Sequence, residues 1–208
     1  MDEERKEKES EKSFSIEVNG KKIKTKEELL LNALKVSGFD IPHLCSDDDF
    51  KPLANCRLCI VEADGRIVAS CNTPIMDGMK IRTDTDEIRE ARRHNLELIL
   101  SNHPLDCDYC YKNLHCELQS LAEKITKSTR YNGAKRQYGK DESSSSLSRN
   151  MDQCILCGRC IEACEKQGIN ILNYHLRGFS TIVAPAFNSK IADTPCISCG
   201  QCALHCPT

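Results

Sequence analysis

Two stretches near the end of the chain share the spacing CxxCxxCxxxC. The first holds Cys154, Cys157, Cys160 and Cys164; the second starts 32 residues after Cys164 and holds Cys196, Cys199, Cys202 and Cys206, with Pro207 closing it. Three thiolates at such short steps wrap one side of an iron-sulfur cubane, and a fourth, one helical turn on, is thrown toward a second cluster. The ligand sets are therefore crossed. Cys154, Cys157, Cys160 and Cys206 would hold one [4Fe-4S] centre, and Cys164, Cys196, Cys199 and Cys202 the other. Gly158 and Gly200 follow the second cysteine of each quartet, where a tight turn aims backbone N–H groups at sulfur. Structural zinc is a poorer fit, because a third cysteine at the same short step has no tetrahedral job. Disulfides suit small secreted chains, and no signal peptide is visible.

Two further sets precede these. Cys45, Cys56, Cys59 and Cys71 have ten, two and eleven residues between them. A central CxxC with one distant cysteine on each side is the logic of a plant-type [2Fe-2S] site, although four thiolates could also hold zinc. His103, Cys107, Cys110 and Cys116 form HxxxCxxCxxxxxC, and a histidine among cysteines favours zinc on general grounds. His94, in a charged helix, reads as solvated, His115 as a packing or surface residue, and His43 and His205 as structural.

The elements that must position these ligands are small. FSIEV and KKIKT flank Asn19-Gly20 as a hairpin, and EELLLNALKVSG is a short amphipathic helix ending at Gly38, with Leu30, Leu31 and Leu34 inward. IVEADGRIVAS gives two strands about Asp64-Gly65, returning Cys71 to its partners. Residues 84–100 are helical, capped by Asp84 or Thr85, with Ile88, Leu96, Ile99 and Leu100 on one face. Two strands are expected around Arg177-Gly178. The boundaries that follow are a disordered charged tail over 1–13, a [2Fe-2S] domain over 14–83, a module with one histidine and three cysteines over 84–125, a linker over 126–150 and a two-cluster module over 151–208.

Composition agrees with metal-stapled modules. Of 208 residues, 39% are hydrophobic, 5% aromatic and none is Trp, so conventional cores would be thin and coordination must supply folding free energy. A net charge of −2 without a basic stripe argues against nucleic acid, and no apolar run approaches the length of a membrane span. No GxGxxG, P-loop or Ser-His-Asp pattern marks a catalytic centre within these residues. A cytoplasmic location is expected.

The terminal quartets resemble two-cluster bacterial ferredoxins, with Glu165 standing where the second quartet has Pro207. The wide gap after Cys45 is similar to the [2Fe-2S] β-grasp domain of the large iron-sulfur subunit of NADH:quinone oxidoreductase (complex I) and of modular [FeFe]-hydrogenases. SNHPLDCDYCYKNLHCELQ resembles a segment shared by those proteins and NAD-linked formate dehydrogenases, and this resemblance implies that His103 joins Cys107, Cys110 and Cys116 on a [4Fe-4S] cluster. The implied fold is α+β: a β-grasp [2Fe-2S] ferredoxin-like domain, a small helical module for the histidine-ligated cluster and a two-[4Fe-4S] ferredoxin-like module. All fifteen cysteines are then used, by one [2Fe-2S] and three [4Fe-4S] clusters. Both terminal quartets are whole, whereas mitochondrial-type complex I subunits keep one of those clusters; within the resemblance this favours the iron-sulfur arm of a modular [FeFe]-hydrogenase, or the corresponding part of an NAD-linked hydrogenase or formate dehydrogenase, with complex I as a further alternative. The resemblance further implies a catalytic hydrogenase or dehydrogenase domain or subunit as one partner, and an NAD(P)H/flavin subunit or ferredoxin as the other, with no nucleic acid and no direct membrane insertion.

Overall fold

The computed structural model describes residues 13–126, 128–133 and 137–208. The charged run expected to be a disordered tail lies, except for Ser13, outside the described residues. The chain forms two compact units, one of residues up to His43 with Arg57–Arg92, the other of Leu44–Cys56 with Arg93–Thr208.

In the first unit β1 (Phe14–Val18) and β2 (Lys21–Thr25) pair antiparallel, and β3 (Ile60–Ala63) and β4 (Arg66–Ala69) form a second hairpin. Both turns use a residue pair at positive φ: Asn19 at 51° with Gly20 at 81°, and Asp64 at 49° with Gly65 at 76°. Two such residues match the right-handed twist of the flanking strands, which is why Asn-Gly and Asp-Gly mark these hairpins in sequence. β5 (Lys80–Arg82) lies between the hairpins, parallel to β1 and antiparallel to β3, giving the order β2-β1-β5-β3-β4. Asn19 locks that crossover by donating its side-chain amide to Thr83 Oγ1 at 2.8 Å and accepting from Thr83 N–H at 2.9 Å. α1 (Leu30–Val36) contributes Leu30, Leu31 and Leu34 to a core with Ile16, Val18 and Ile81. A mixed five-stranded sheet with one short helix is the β-grasp arrangement expected.

α2 (Asp86–Asn102) begins where Thr85 Oγ1 accepts from Ile88 N–H at 3.2 Å, an N-cap bond. Ile88, Leu96 and Leu100 are buried, as their spacing requires. Glu97 is fully buried, and among the arginines of this helix Arg92 is enclosed. It donates to the carbonyls of Leu58 at 3.1 Å and Ile60 at 2.7 Å, clasping the chain on either side of Cys59.

The second unit is built around short pieces: α3 (Glu117–Ile125), α4 (Arg159–Lys166), the hairpin β8 (Asn173–His175) with β9 (Ile182–Ala184), and a single turn α5 (Gln201–Leu204). Its apolar cluster contains Met151, Leu172, Ile182, Val183 and Ala184, and cysteines are part of it: Cys164 is buried there, with Cys154, Cys160 and Cys202 packed against it. Within the stretch read as a linker, β6 (Lys140–Asp141) pairs with β7 (Arg149–Asn150). This ladder is tied down by side chains, with Arg149 donating to Val183 O at 2.9 Å and Asp141 accepting from Ile191 N–H at 2.9 Å. The stretch has no alternating apolar residues, so periodicity gives no sign of it.

Removing the Arg92 guanidinium leaves two carbonyls beside the CxxC segment without its donors. Each buried polar group left unpaired costs roughly 1–3 kcal/mol. Arg92→Met should therefore destabilise the chain by about 2 kcal/mol or more, measured by denaturant unfolding under anaerobic conditions. An unchanged midpoint would show that the clasp contributes nothing.

Candidate metal centres

The two terminal quartets adopt one local geometry twice. Leu156 and Ser198, the residues before the second cysteine of each quartet, sit at φ 57° and 55°; Gly158 and Gly200, just after it, at 88° and 75°. The left-handed residues turn backbone N–H groups inward. Leu156 N–H donates to Cys154 Sγ and Ser198 N–H to Cys196 Sγ, both at 3.4 Å. Gly158 is required twice over, because an added Cβ would lie 2.5 Å from Tyr174 Oη and 2.6 Å from Leu53 Cδ1. Gly200 has open space around it, so its φ alone sets the requirement.

After each turn a helix begins. α4 carries Cys160 and Cys164 one turn apart; α5 carries Cys202, and Cys206 follows it. Glu165 keeps α4 running to Lys166 over eight residues, whereas the second copy ends after four, just short of Pro207. Cys164, Cys196, Cys199 and Cys202 line one cavity with apolar walls that include Ile169 and Leu172. Cys154, Cys157, Cys160 and Cys206 are mutually close enough to perturb one another. Burial, and then the neighbouring thiols Cys206 and Cys154, push the Cys157 thiol up to about 12. Cys160 is pushed well up by burial first and by Cys157, Cys154 and Cys206 next.

His103, Cys107, Cys110 and Cys116 line a third cavity, joined there by Gln153. Cys107 opens a 3₁₀ turn and Cys110 follows it. Cys116 is the N-cap of α3, its sulfur accepting from Gln119 N–H at 3.5 Å. Burial pushes the His103 imidazolium down, so the ring is neutral at pH 7. Its Nδ1 is buried with no hydrogen-bond partner among the described residues. A neutral imidazole with a spare ring nitrogen, facing three thiols, is a ligand set in want of a cation.

The remaining cysteines form two pairs. In the second unit Cys45 Sγ and Cys56 Sγ are 3.4 Å apart, and Leu44 N–H donates to Cys56 Sγ and Cys56 N–H to Cys45 Sγ, each at 3.4 Å. That separation is far too long for a disulfide, whose sulfurs lie about 2.05 Å apart. It approaches the ~3.8 Å edge expected of two sulfurs ~2.3 Å from one tetrahedral metal. In the first unit Ser70, beside Cys71, donates through both N–H and Oγ to the Cys59 carbonyl, at 3.1 and 2.7 Å, drawing these two cysteines together. None of the fifteen cysteines is paired in a disulfide. Burial raises the thiols of Cys107, Cys157, Cys160 and Cys202, and a multiply charged cationic core, which iron-sulfur clusters provide, offsets the cost of ionising them. The donor sets fit that chemistry.

Several residues around these sites carry no signal in sequence. Gln153 donates to Cys110 Sγ at 3.6 Å, and Lys112 Nζ to Cys206 O at 3.1 Å. Asn55 donates to Cys157 O at 3.3 Å and to Tyr174 Oη at 2.9 Å. His205 Nδ1 pairs with Asp47 at 2.9 Å and meets Phe50 edge-on. Adjacency to cysteines is visible in the chain, but the partners lie 43 to 158 residues away.

Comparison with known proteins places these sites in a class. Residues 11–86 match the 2Fe-2S iron-sulfur cluster binding domain, 92–129 the NADH-ubiquinone oxidoreductase-G iron-sulfur binding region, and 153–208 the 4Fe-4S dicluster domain. The protein is thus an iron-sulfur electron-transfer protein, with a 2Fe-2S domain and 4Fe-4S domains in series. It is homologous to the HndD subunit of the NADP-reducing hydrogenase of Solidesulfovibrio fructosivorans, 40% identical over 205 residues, covering 94% of this chain and 35% of the relative. A G-type component of the NADH-quinone oxidoreductase of Rhizobium meliloti is 37% identical over 184 residues, covering 86% and 21%. A putative formate dehydrogenase of Staphylococcus haemolyticus is 31% identical over 181 residues, covering 86% and 18%. The chain therefore spans between about a fifth and a third of the length of these curated relatives. Among solved structures, an NAD+-reducing [NiFe]-hydrogenase in the H2-reduced state superimposes with a TM-score of 0.84 at 29% identity, covering 89% of this chain and 80% of that one. Among the described residues no helix is long and apolar enough to cross a membrane.

The orphaned nitrogen of His103 gives a direct test. His103→Ala should lower iron by about four atoms per chain, while His103→Cys should retain iron and lower that centre's reduction potential, because thiolate adds a negative charge that imidazole lacks. Iron analysis and redox titration read both. Full iron and an unaltered potential in His103→Ala would remove the histidine from the ligand set.

Proposed function

We infer that the chain relays single electrons through one [2Fe-2S] centre on Cys45, Cys56, Cys59 and Cys71 and three [4Fe-4S] centres. One would be held by His103, Cys107, Cys110 and Cys116. The others use Cys154, Cys157, Cys160 and Cys206, and Cys164, Cys196, Cys199 and Cys202. When bound, these clusters supply the one-electron chemistry; the protein supplies ligands, N–H donors to sulfur and burial, which set each potential.

The observation that carries this reading is that neighbouring ligand sets share backbone and side chains. Cys160 and Cys164, assigned to different centres, lie one turn apart on α4, a rise of about 6 Å. The His103 set meets the Cys154 set through Gln153 to Cys110, Lys112 to Cys206 O, and Glu117 N–H to Pro207 O at 2.9 Å. Electron tunnelling falls off exponentially with distance, so centres linked by single residues form a conducting series. A lone structural metal would need no such adjacency.

The catalytic partner in this reading is a hydrogenase centre, of the [FeFe] type, in a further domain or subunit. An NAD(P)H/flavin subunit or a ferredoxin exchanges electrons at the other end. The similarity to HndD supports the hydrogenase context, and the NADH-quinone oxidoreductase and formate dehydrogenase relatives support the same relay serving a different catalytic centre. The cytoplasm is the compartment proposed.

Purified without oxygen, the chain should be brown, contain acid-labile sulfide, accept electrons from a low-potential one-electron donor and pass them to an oxidised ferredoxin. It should neither oxidise NADH nor evolve hydrogen unaided. A colourless, zinc-loaded chain without sulfide, or unaided turnover of NADH or hydrogen, would overturn the reading.

A further inference from the structure

Arg159 stands between Gly158 and Cys160 and is only 5% exposed. Its guanidinium forks onto the Glu117 carboxylate, with Nη1 to Oε1 at 2.6 Å and Nη2 to Oε2 at 3.0 Å, and Nη2 also donates to the Ser46 carbonyl at 2.7 Å. Each residue in this knot is the chain neighbour of an assigned ligand. Arg159 precedes Cys160, Glu117 follows Cys116, and Ser46 follows Cys45. One side chain therefore ties together segments that carry ligands of three different sets.

The charges in the knot are unequally screened. The Glu117 side chain is 48% exposed, whereas that of Arg159 is 6% exposed, so water attenuates the anion more than the cation. A guanidinium stays protonated throughout the accessible pH range, so the knot holds a fixed positive charge next to Cys160 in the chain. The Nε–H group is buried and has no acceptor among the described residues. An enclosed arginine satisfied at one edge and unsatisfied at the other is costly as mere packing. A negatively charged group on the cysteine side would offset that cost, and the Cys154, Cys157, Cys160 and Cys206 set with its iron and sulfide is such a group.

We propose that Arg159 is a positioning residue shared by three redox centres: it fixes their ligand segments together, and its buried charge makes the Cys154, Cys157, Cys160 and Cys206 centre easier to reduce. The proposal rests on the electron-relay reading above. Reduction adds a negative charge, so a fixed cation beside the centre stabilises the reduced form and Glu117 opposes it. Electrons would accordingly collect at the centre that touches both the His103 module and the Cys45–Cys56 loop.

The experiment is a redox titration followed by electron paramagnetic resonance on the oxygen-protected, iron-loaded chain and its R159Q, R159K and E117Q variants. R159Q should shift the reduction equilibrium of that centre about tenfold toward the oxidised form, equivalent to about 59 mV for one electron. E117Q, which removes the opposing anion, should shift it the other way, and R159K, which keeps the charge without the fork, should stay within about threefold of the parent. A purely structural role would make R159Q and E117Q fail alike, since both break the same knot. Shifts of the same sign, or no shift with iron retained, would overturn the proposal. If R159Q does not load iron, the E117Q and R159K titrations decide it. A parent chain without reducible centres would instead sink the relay reading itself.

Discussion

Crowded thiols resist ionisation, and the rest of this structure depends on that resistance being overcome. Cys157 is pushed up to about 12 and Cys160 well above the ordinary thiol range, each first by burial and then by its neighbours. A polypeptide with so little apolar material does not gather sulfur in this way for packing alone. The short helices, the left-handed turns before α4 and α5 and the apolar walls around Cys164 bring ligands together. Only a cationic core makes that arrangement favourable, and then coordination supplies the free energy that a thin core lacks.

Much of this is legible in the sequence because the constraints are local. Asn19-Gly20 and Asp64-Gly65 each specify a hairpin through two positive φ values, and both hairpins form. Gly158 and Gly200 mark the turns into α4 and α5, and the four-residue step from Cys160 to Cys164 puts both on one helix. Alternation around Arg177-Gly178 marks two strands, and β8 and β9 pair there.

What stays hidden is long-range and polar. Nothing in CGRC says that its arginine will meet Glu117 and the Ser46 carbonyl, because buried ion pairs leave no periodic signature. The clasp of Arg92 on Leu58 and Ile60 is likewise masked by a charged helical stretch in which one arginine resembles the next. The β6–β7 ladder escapes notice because two-residue strands held by Asp141 and Arg149 look like any polar loop. Such contacts decide how the ligand segments lie against one another, and so bear more on electron flow than on which metal is bound.

The relatives are similar to this chain over 181 to 205 residues while differing in the reaction named for them, which fits a module whose work is conduction. The account stands or falls on how iron is distributed among the centres. Mössbauer spectroscopy of the chain loaded with iron-57 should assign about one-seventh of the absorption to a [2Fe-2S] centre and the remainder to [4Fe-4S] centres, the ratio set by one cluster of two irons and three of four. Absorption from isolated iron sites, or a ratio that leaves one of the four ligand sets without its cluster, would contradict it.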